Sequence, residues 1–212
     1  MSIGEMTAMA GNLQSLREVN HHLKTGDIEK AARICRRLVK AHPDNFAVHY
    51  TLATIEARSG NLPGARASIE RALAIRGDSP EAWLVCGNIL AELGRLDEAQ
   101  AAFKQALAIR PNMAEAWTAL GNVAASLKQF DEAFAAYDRA LALAPSLLHA
   151  WYGRGNLYST LGRYDEASAA FEKVIALRPD DPLGWHGRGT VLHKRARYDE
   201  ALAAHQQALA RR

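Results

Sequence analysis

The stretch AEAWTALGNVAASLKQFDEAFAAYDRALALAPSL, Ala114 to Leu147, aligns without a gap on LHAWYGRGNLYSTLGRYDEASAAFEKVIALRPDD, Leu148 to Asp181. Trp117 meets Trp151, Gly121 meets Gly155, Ala133 meets Ala167, Tyr137 meets Phe171 and Pro145 meets Pro179. Outward from this pair the same interval of 34 residues runs through the chain. The four tryptophans are Trp83, Trp117, Trp151 and Trp185, and Ala31, Ala65, Ala99, Ala133, Ala167 and Ala201 form a row of six. Gly87, Gly121, Gly155 and Gly189 form another row, with Val19 and Ala53 before them. Cys35, Ile69, Phe103, Tyr137, Phe171 and His205 form a third. A period of this length means one supersecondary unit copied end to end. The frames are 12–45, 46–79, 80–113, 114–147, 148–181 and an incomplete 182–212, after an N-terminal extension over 1–11 that we expect to be flexible.

One unit reads as two helices. Trp117, Leu120, Val123, Ala124 and Leu127 recur at helical spacing over 114–127. The break falls at Lys128-Gln129, where Gly26, Gly60, Gly94 and Gly162 stand in other units; glycine accepts the positive φ of a turn after a helix. The second helix opens on Asp131-Glu132, repeated as Asp97-Glu98, Asp165-Glu166 and Asp199-Glu200. Carboxylates in a first turn favour the positive end of the helix dipole. It runs to about Leu143, and Pro145 stops it. In the last unit the second helix is expected from Asp199 to Arg211. Small residues such as Gly121 and Ala133 let the helices approach, and Trp117 and Tyr137 are expected to fill the space between neighbours. His49 and Ser15 replace tryptophan in the first two units, which are therefore expected to pack less tightly. One unit of this size is too small to bury a core alone, so neighbours must supply the burial.

Trp117-x2-Leu120-Gly121, Ala133, Tyr137, Ala140 and Pro145 resemble the tetratricopeptide repeat, as do Trp151, Gly155, Tyr158, Ala167, Phe171 and Pro179. The resemblance covers 12–212 and is strongest over 80–181. It implies an all-α fold, a right-handed α-α superhelix (solenoid) of tandem helix-turn-helix units, with the first helix of each unit lining a concave groove. It also implies protein–protein interaction rather than catalysis. One subfamily grips acidic chaperone tails with Lys, Asn and Arg; Val85, Ala119, Gly153 and Gly187 occupy the row that such a clamp needs, so that partner is disfavoured.

Composition narrows the classes. The net charge of +3 is too small to argue for nucleic acid. No apolar run reaches the length of a membrane span, and the first eleven residues lack the Lys or Arg of a secretory signal. Cys35 and Cys86 read as free, buried thiols of a reducing cytoplasm, and the resemblance, which is to bacterial arrays of this repeat, implies a bacterial protein. Gly153-Arg154-Gly155 and Gly187-Arg188-Gly189 do not complete a phosphate-binding loop, since Tyr158 and Leu192 replace the third glycine and no strand precedes them. His149, His186 and His193 lack further ligands at metal-binding spacing, so neither a metal nor another cofactor is expected. No nucleophile, base and orienting group stand together.

The candidate binding residues are the inward rows that the resemblance implies. Asn20, Thr54, Asn88, Asn122, Asn156 and Thr190 form the first, beside Tyr50, Thr118, Tyr152 and His186. Glu81, Glu115 and His149 form a third row, and the last turns add Lys24, Arg58, Glu92, Ser126, Thr160 and Lys194. An asparagine amide both donates and accepts, so a row of them can hold a peptide backbone with little sequence preference. Asn after Gly also tethers neighbouring helices, and the two roles are compatible. Two alternatives stand beside a peptide-binding scaffold. One is the substrate-recruiting part of a larger glycosyltransferase- or sulfotransferase-like enzyme, and the other is homo-oligomerisation through the final helix, which no capping helix follows.

Overall fold

The computed structural model describes residues 17–19 and 21–211. The extension at 1–11, residues 12–16 and Asn20 lie outside the described residues. Every regular element described is helical. Residues 17–19 and 21–24 are helical, followed by α1 (Ile28–Ala41), α2 (Phe46–Arg58), α3 (Leu62–Ile75), α4 (Pro80–Glu92) and α5 (Leu96–Ile109). Then come α6 (Ala114–Ser126), α7 (Phe130–Leu143), α8 (Leu148–Thr160), α9 (Tyr164–Leu177), α10 (Pro182–Lys194) and α11 (Tyr198–Leu209). The last helix thus starts a residue earlier than expected, because Tyr198 joins the first turn behind Arg197, and it ends two residues earlier.

The chain divides into two compact units, Met1–Ile109 and Arg110–Arg212. In the first, α2 packs on α3, α3 on α4 and α4 on α5; in the second, each helix from α6 to α11 packs on the next. First helices of adjacent repeats also touch, α2 with α4, α6 with α8 and α8 with α10. Successive second helices do not pack to that extent, so within each unit the first helices occupy the inner side of the bend.

The starts of the helices are written locally. Asp27, Asn45, Asn61, Ser79 and Asp181 accept the backbone N–H of Lys30, Val48, Gly64, Ala82 and Leu183, closing orphan donors of α1 to α4 and α10. Pro80 and Pro182 stand in a first turn, where a missing N–H costs nothing. α7, α9 and α11 have no side-chain cap and instead carry an acidic pair in the first turn, Asp131-Glu132, Asp165-Glu166 and Asp199-Glu200.

The core is a row of rings set into a row of glycines. Phe103, Tyr137 and Phe171 are about 1% exposed. A Cβ on Gly121 would stand 2.7 Å from the Tyr137 ring, and one on Gly155 2.8 Å from Phe171. Gly153 and Gly187, from the following repeats, lie against the same two rings. Trp117 and Trp151 pack between helices as expected, against Ala140, Leu141 and Ala150, and the tryptophan row also makes a hydrogen bond that the sequence did not announce. All four tryptophans are half-buried, and each indole N–H donates to the carbonyl six residues earlier. Trp83 reaches Gly77 at 2.8 Å, Trp117 Pro111 at 2.7 Å, Trp151 Pro145 at 2.9 Å and Trp185 Pro179 at 3.1 Å. The row clamps the inter-repeat loop to the helix that follows, since a loop carbonyl has no ladder partner. His49 makes the same bond to Pro43, 2.8 Å from Nε2. A carbonyl only accepts, so the proton sits on Nε2. Val48, Ala53, Ile55 and Ile69 of the same repeat are fully buried.

Candidate functional site

The inner face of the second unit is best defined around Asn122 on α6 and Asn156 on α8. These first helices lie side by side, so residues one repeat apart meet along one surface. Asn122, Asn156, Ser126, Thr160 and Gly153 line a depression of about 320 Å³ whose floor includes Tyr137 and Leu157. The Tyr137 hydroxyl donates to Asn122 Oδ1 at 2.7 Å. That bond supplies the buried phenol with a partner and engages Oδ1 of an exposed amide whose Nδ2 has no partner among the described residues. Burial pushes the Tyr137 hydroxyl well above its usual range, so it stays protonated and continues to donate. The bond ties α7 to α6, which is the tethering role that the sequence reading gave to the asparagine row. Asn156 is exposed and forms no side-chain hydrogen bond among the described residues.

The hydroxyls of the same rows are committed elsewhere. Ser126 donates to Asn122 O at 3.0 Å, Thr160 to Asn156 O at 2.9 Å and Thr190 to His186 O at 3.0 Å. Thr118 is 6% exposed and donates to Ala114 O at 2.9 Å, so its hydroxyl is not presented to a ligand. Such back-bonding to the preceding turn is the usual fate of a hydroxyl inside a helix. Tyr152 is half-buried with its ring 5.7 Å from Phe171. Glu115 and His149 are exposed. Lys194 bridges from α10 to α8, its Nζ donating to Ser159 O at 3.2 Å. His186 packs on His205, ring centroids 5.3 Å apart. Partial burial, with the charges of His186 and His193, lowers the His205 pKa.

The first unit presents its own part of the inner rows. Tyr50 stacks on Phe46, centroids 5.8 Å apart, and burial together with the Glu81 carboxylate raises its pKa. Glu81 is exposed and accepts from Ser79 Oγ at 3.2 Å. Thr54 donates to Thr51 O at 2.8 Å, while Asn88, Arg58 and Glu92 are exposed. Asn20 lies outside the described residues. Among the described residues no group of three or more His, Cys, Asp or Glu converges as metal ligands. No described helix is long and apolar enough to cross a membrane.

One buried polar cluster escaped the sequence reading. Glu56 on α2 is 5% exposed. It accepts from Ser68 Oγ at 3.0 Å, Asn61 Nδ2 at 3.3 Å and Arg36 Nη2 at 3.2 Å. Its signal was available: Glu56 interrupts a row otherwise held by His22, Leu90, Ala124, Tyr158 and Leu192, and Ser68 interrupts one of Ile34, Ala102, Ala136, Ala170 and Ala204.

Comparison with solved structures finds the same fold at low identity. A type IV pilus biogenesis factor, PilW, superposes with a TM-score of 0.84 at 22% identity, over 92% of this chain and 91% of its own. A tetratricopeptide repeat protein from Parabacteroides merdae superposes at 0.80 with 22% identity, over 93% and 78%. YrrB, described as having an unusual peptide-binding site, superposes at 0.61 with 20% identity, over 85% and 93%. A search of curated sequences finds no match. Two family models described as tetratricopeptide repeat match, one over residues 16–80 and 85–147 and the other over 120–183. With the 34-residue period, the paired helices and the ring-in-glycine core, these matches establish that the chain belongs to the tetratricopeptide repeat family.

Proposed function

We propose that this chain is a non-enzymatic interaction scaffold that holds a peptide, or an extended segment of a protein, along its first helices. The observation that carries the reading is the pair of exposed amides at Asn122 and Asn156, one repeat apart at one depression. The neighbouring hydroxyls are spent on their own helices, so the amides are the groups left to pair with a peptide backbone. Tyr50, Tyr152, His149 and His186 supply side-chain contacts, and Arg58, Glu81, Glu92, Glu115 and Lys194 favour a ligand with both signs of charge in order. Asn88 plays the role of Asn156 in the first unit.

The test is a titration against an immobilised peptide library, followed by the best ligand against variants. Asn156→Ala is the informative one, because Asn156 supports no described contact. Loss of one or two hydrogen bonds predicts about a five- to thirtyfold weaker Kd with an unchanged melting temperature. Undiminished binding by an Asn88→Ala/Asn156→Ala double variant would sink the amide grip. A second reading, self-association through α11, is favoured by Tyr198, Leu202 and Leu209, which are 60–61% exposed. Light scattering over a dilution series decides it: a monomer at every concentration excludes it.

A further inference from the structure

The second helix of the first repeat differs from its counterparts in charge. α1 carries Lys30, Arg33, Arg36, Arg37 and Lys40 against one carboxylate, Glu29. No other described second helix has more than two Lys or Arg, and α7, α9 and α11 each have more acidic than basic residues. Lys30, Arg33, Arg37 and Lys40 are spaced three, four and three residues apart, which puts them on one face of the helix. All four are exposed, and among the described residues none has a carboxylate within ion-pair distance. Elsewhere in the first unit Arg66, Arg71 and Arg95 are paired with Glu70, Asp44 and Glu98, while Arg58 and Arg76 stand singly and form no such stripe. Arg36, at the edge of the stripe, is taken by buried Glu56. The opposite face of α1 is the buried one, through Ala31, Ile34, Cys35 and Leu38. The sequence outside the described residues at the N-terminus, 1–16, contains a single carboxylate, Glu5, and cannot neutralise the stripe.

We infer that the solvent face of α1 is a second docking surface, distinct from the inner rows, for an acidic segment of a protein partner. Charge complementarity selects the sign, and the dimensions select the class. Lys30 to Lys40 spans roughly 15 Å at 1.5 Å per residue, the length of a few helical turns. A segment with carboxylates at matching three- and four-residue spacing meets each cation once. A polynucleotide or an anionic bilayer would also lie over Asp27 and Glu29, which rim the same shallow depression of about 550 Å³ as Lys30, Arg33, Arg36 and Ser59. That juxtaposition is repulsive for a uniform polyanion. Apart from Ala41 at its end, the apolar side chains of α1 are buried or partly buried, so no large one is presented to enter a bilayer. The inference places a partner on the outer side of the repeat whose inner side serves the groove, so one chain can join two proteins.

The test uses the whole chain and a fluorescein-labelled alanine-based peptide with four glutamates spaced three, four and three. Fluorescence polarisation at about 50 mM salt should give saturable binding that weakens steeply toward about 300 mM, as surface charge pairing does. Arg33→Glu/Arg37→Glu should weaken it by about tenfold or more, and Arg33→Lys/Arg37→Lys should largely keep it. Lys173→Glu, a charge reversal on the exposed side of α9, should change nothing. Circular dichroism checks that each variant is folded. Absence of saturable binding overturns the proposal, and so does an equal loss with Lys173→Glu. Tighter binding to a twelve-residue oligothymidylate or to phosphatidylserine vesicles assigns the stripe to another class of partner and overturns it as well. Since Asn156→Ala leaves α1 untouched, failure here and failure of the groove reading are separately visible.

Discussion

Lys128 and Ala196 stand at φ of +60° and +58°, in turns where Gly26, Gly60, Gly94 and Gly162 hold φ of +73° to +82°. The period made this legible, because it aligns the six break positions and shows two of them without glycine. The penalty follows from the Cβ: an L-residue in the left-handed region costs about 1–2 kcal/mol, and glycine avoids it at some cost in unfolded-state entropy. Ala196→Gly should therefore stabilise the last repeat by about 0.5–1 kcal/mol, seen as a higher urea midpoint with an unchanged slope. A lower midpoint would mean that Ala196 is not strained. The same alignment located the tryptophans and their place between helices, where Trp117 and Trp151 pack on Ala140, Leu141 and Ala150, but it did not show their hydrogen bonds. The loop carbonyls that claim the indole N–H groups become visible only once the loop is folded, and only then does His49 prove equivalent to tryptophan.

At the scale of the helix pair, the repeat rows predicted which faces are buried and failed where one repeat departs from them. Glu56 and Ser68 each break an apolar row, and they break it together because the hydroxyl satisfies the carboxylate. Read separately they are two anomalies; read as a contact across α2 and α3 they are one interaction. The consequence is measurable by a double-mutant cycle. Glu56→Leu alone strands the Ser68 hydroxyl in the core, and Ser68→Ala alone removes one donor from a buried carboxylate. Each single change should cost about 1–3 kcal/mol, since an unpaired buried polar group loses its solvation without compensation. The double variant restores the residue types of the other repeats and should cost clearly less than the sum, because Arg36 is half exposed and returns to water. Strict additivity in chemical denaturation would show that Glu56 and Ser68 do not act as a unit. The inner rows teach a similar lesson about the candidate site. Sequence placed Asn122 and Asn156 on one face, but only the fold shows that Thr118 is buried and that the other hydroxyls are occupied.

Across the whole molecule, an array stabilised by nearest neighbours need not unfold as one cooperative block. The two compact units happen to carry different probes. Cys35 and Cys86 both lie in the first, free and buried, whereas three of the four tryptophans, Trp117, Trp151 and Trp185, lie in the second and Trp83 in the first. Burial, with Glu56 near Cys35 and Glu70 near Cys86, pushes both thiols up to about 11 from 9.0. The folded chain thus keeps them protonated and slow toward disulfide reagents at pH 8, and unfolding restores ordinary reactivity. The folded pKa lies above the unfolded one, so this contribution to stability is complete below pH 9 and is lost as pH rises from 9 toward 11. Thiol labelling should therefore report the first unit, and tryptophan fluorescence chiefly the second. Gly155→Ala drives a Cβ into the Phe171 ring and should cost about 1–3 kcal/mol. It should lower the urea midpoint read by fluorescence and leave the thiol-labelling midpoint nearly in place, whereas Glu56→Leu should do the reverse. If both variants move both midpoints equally, the chain is a single two-state block, and the nearest-neighbour account of its stability fails at the boundary between Ile109 and Arg110.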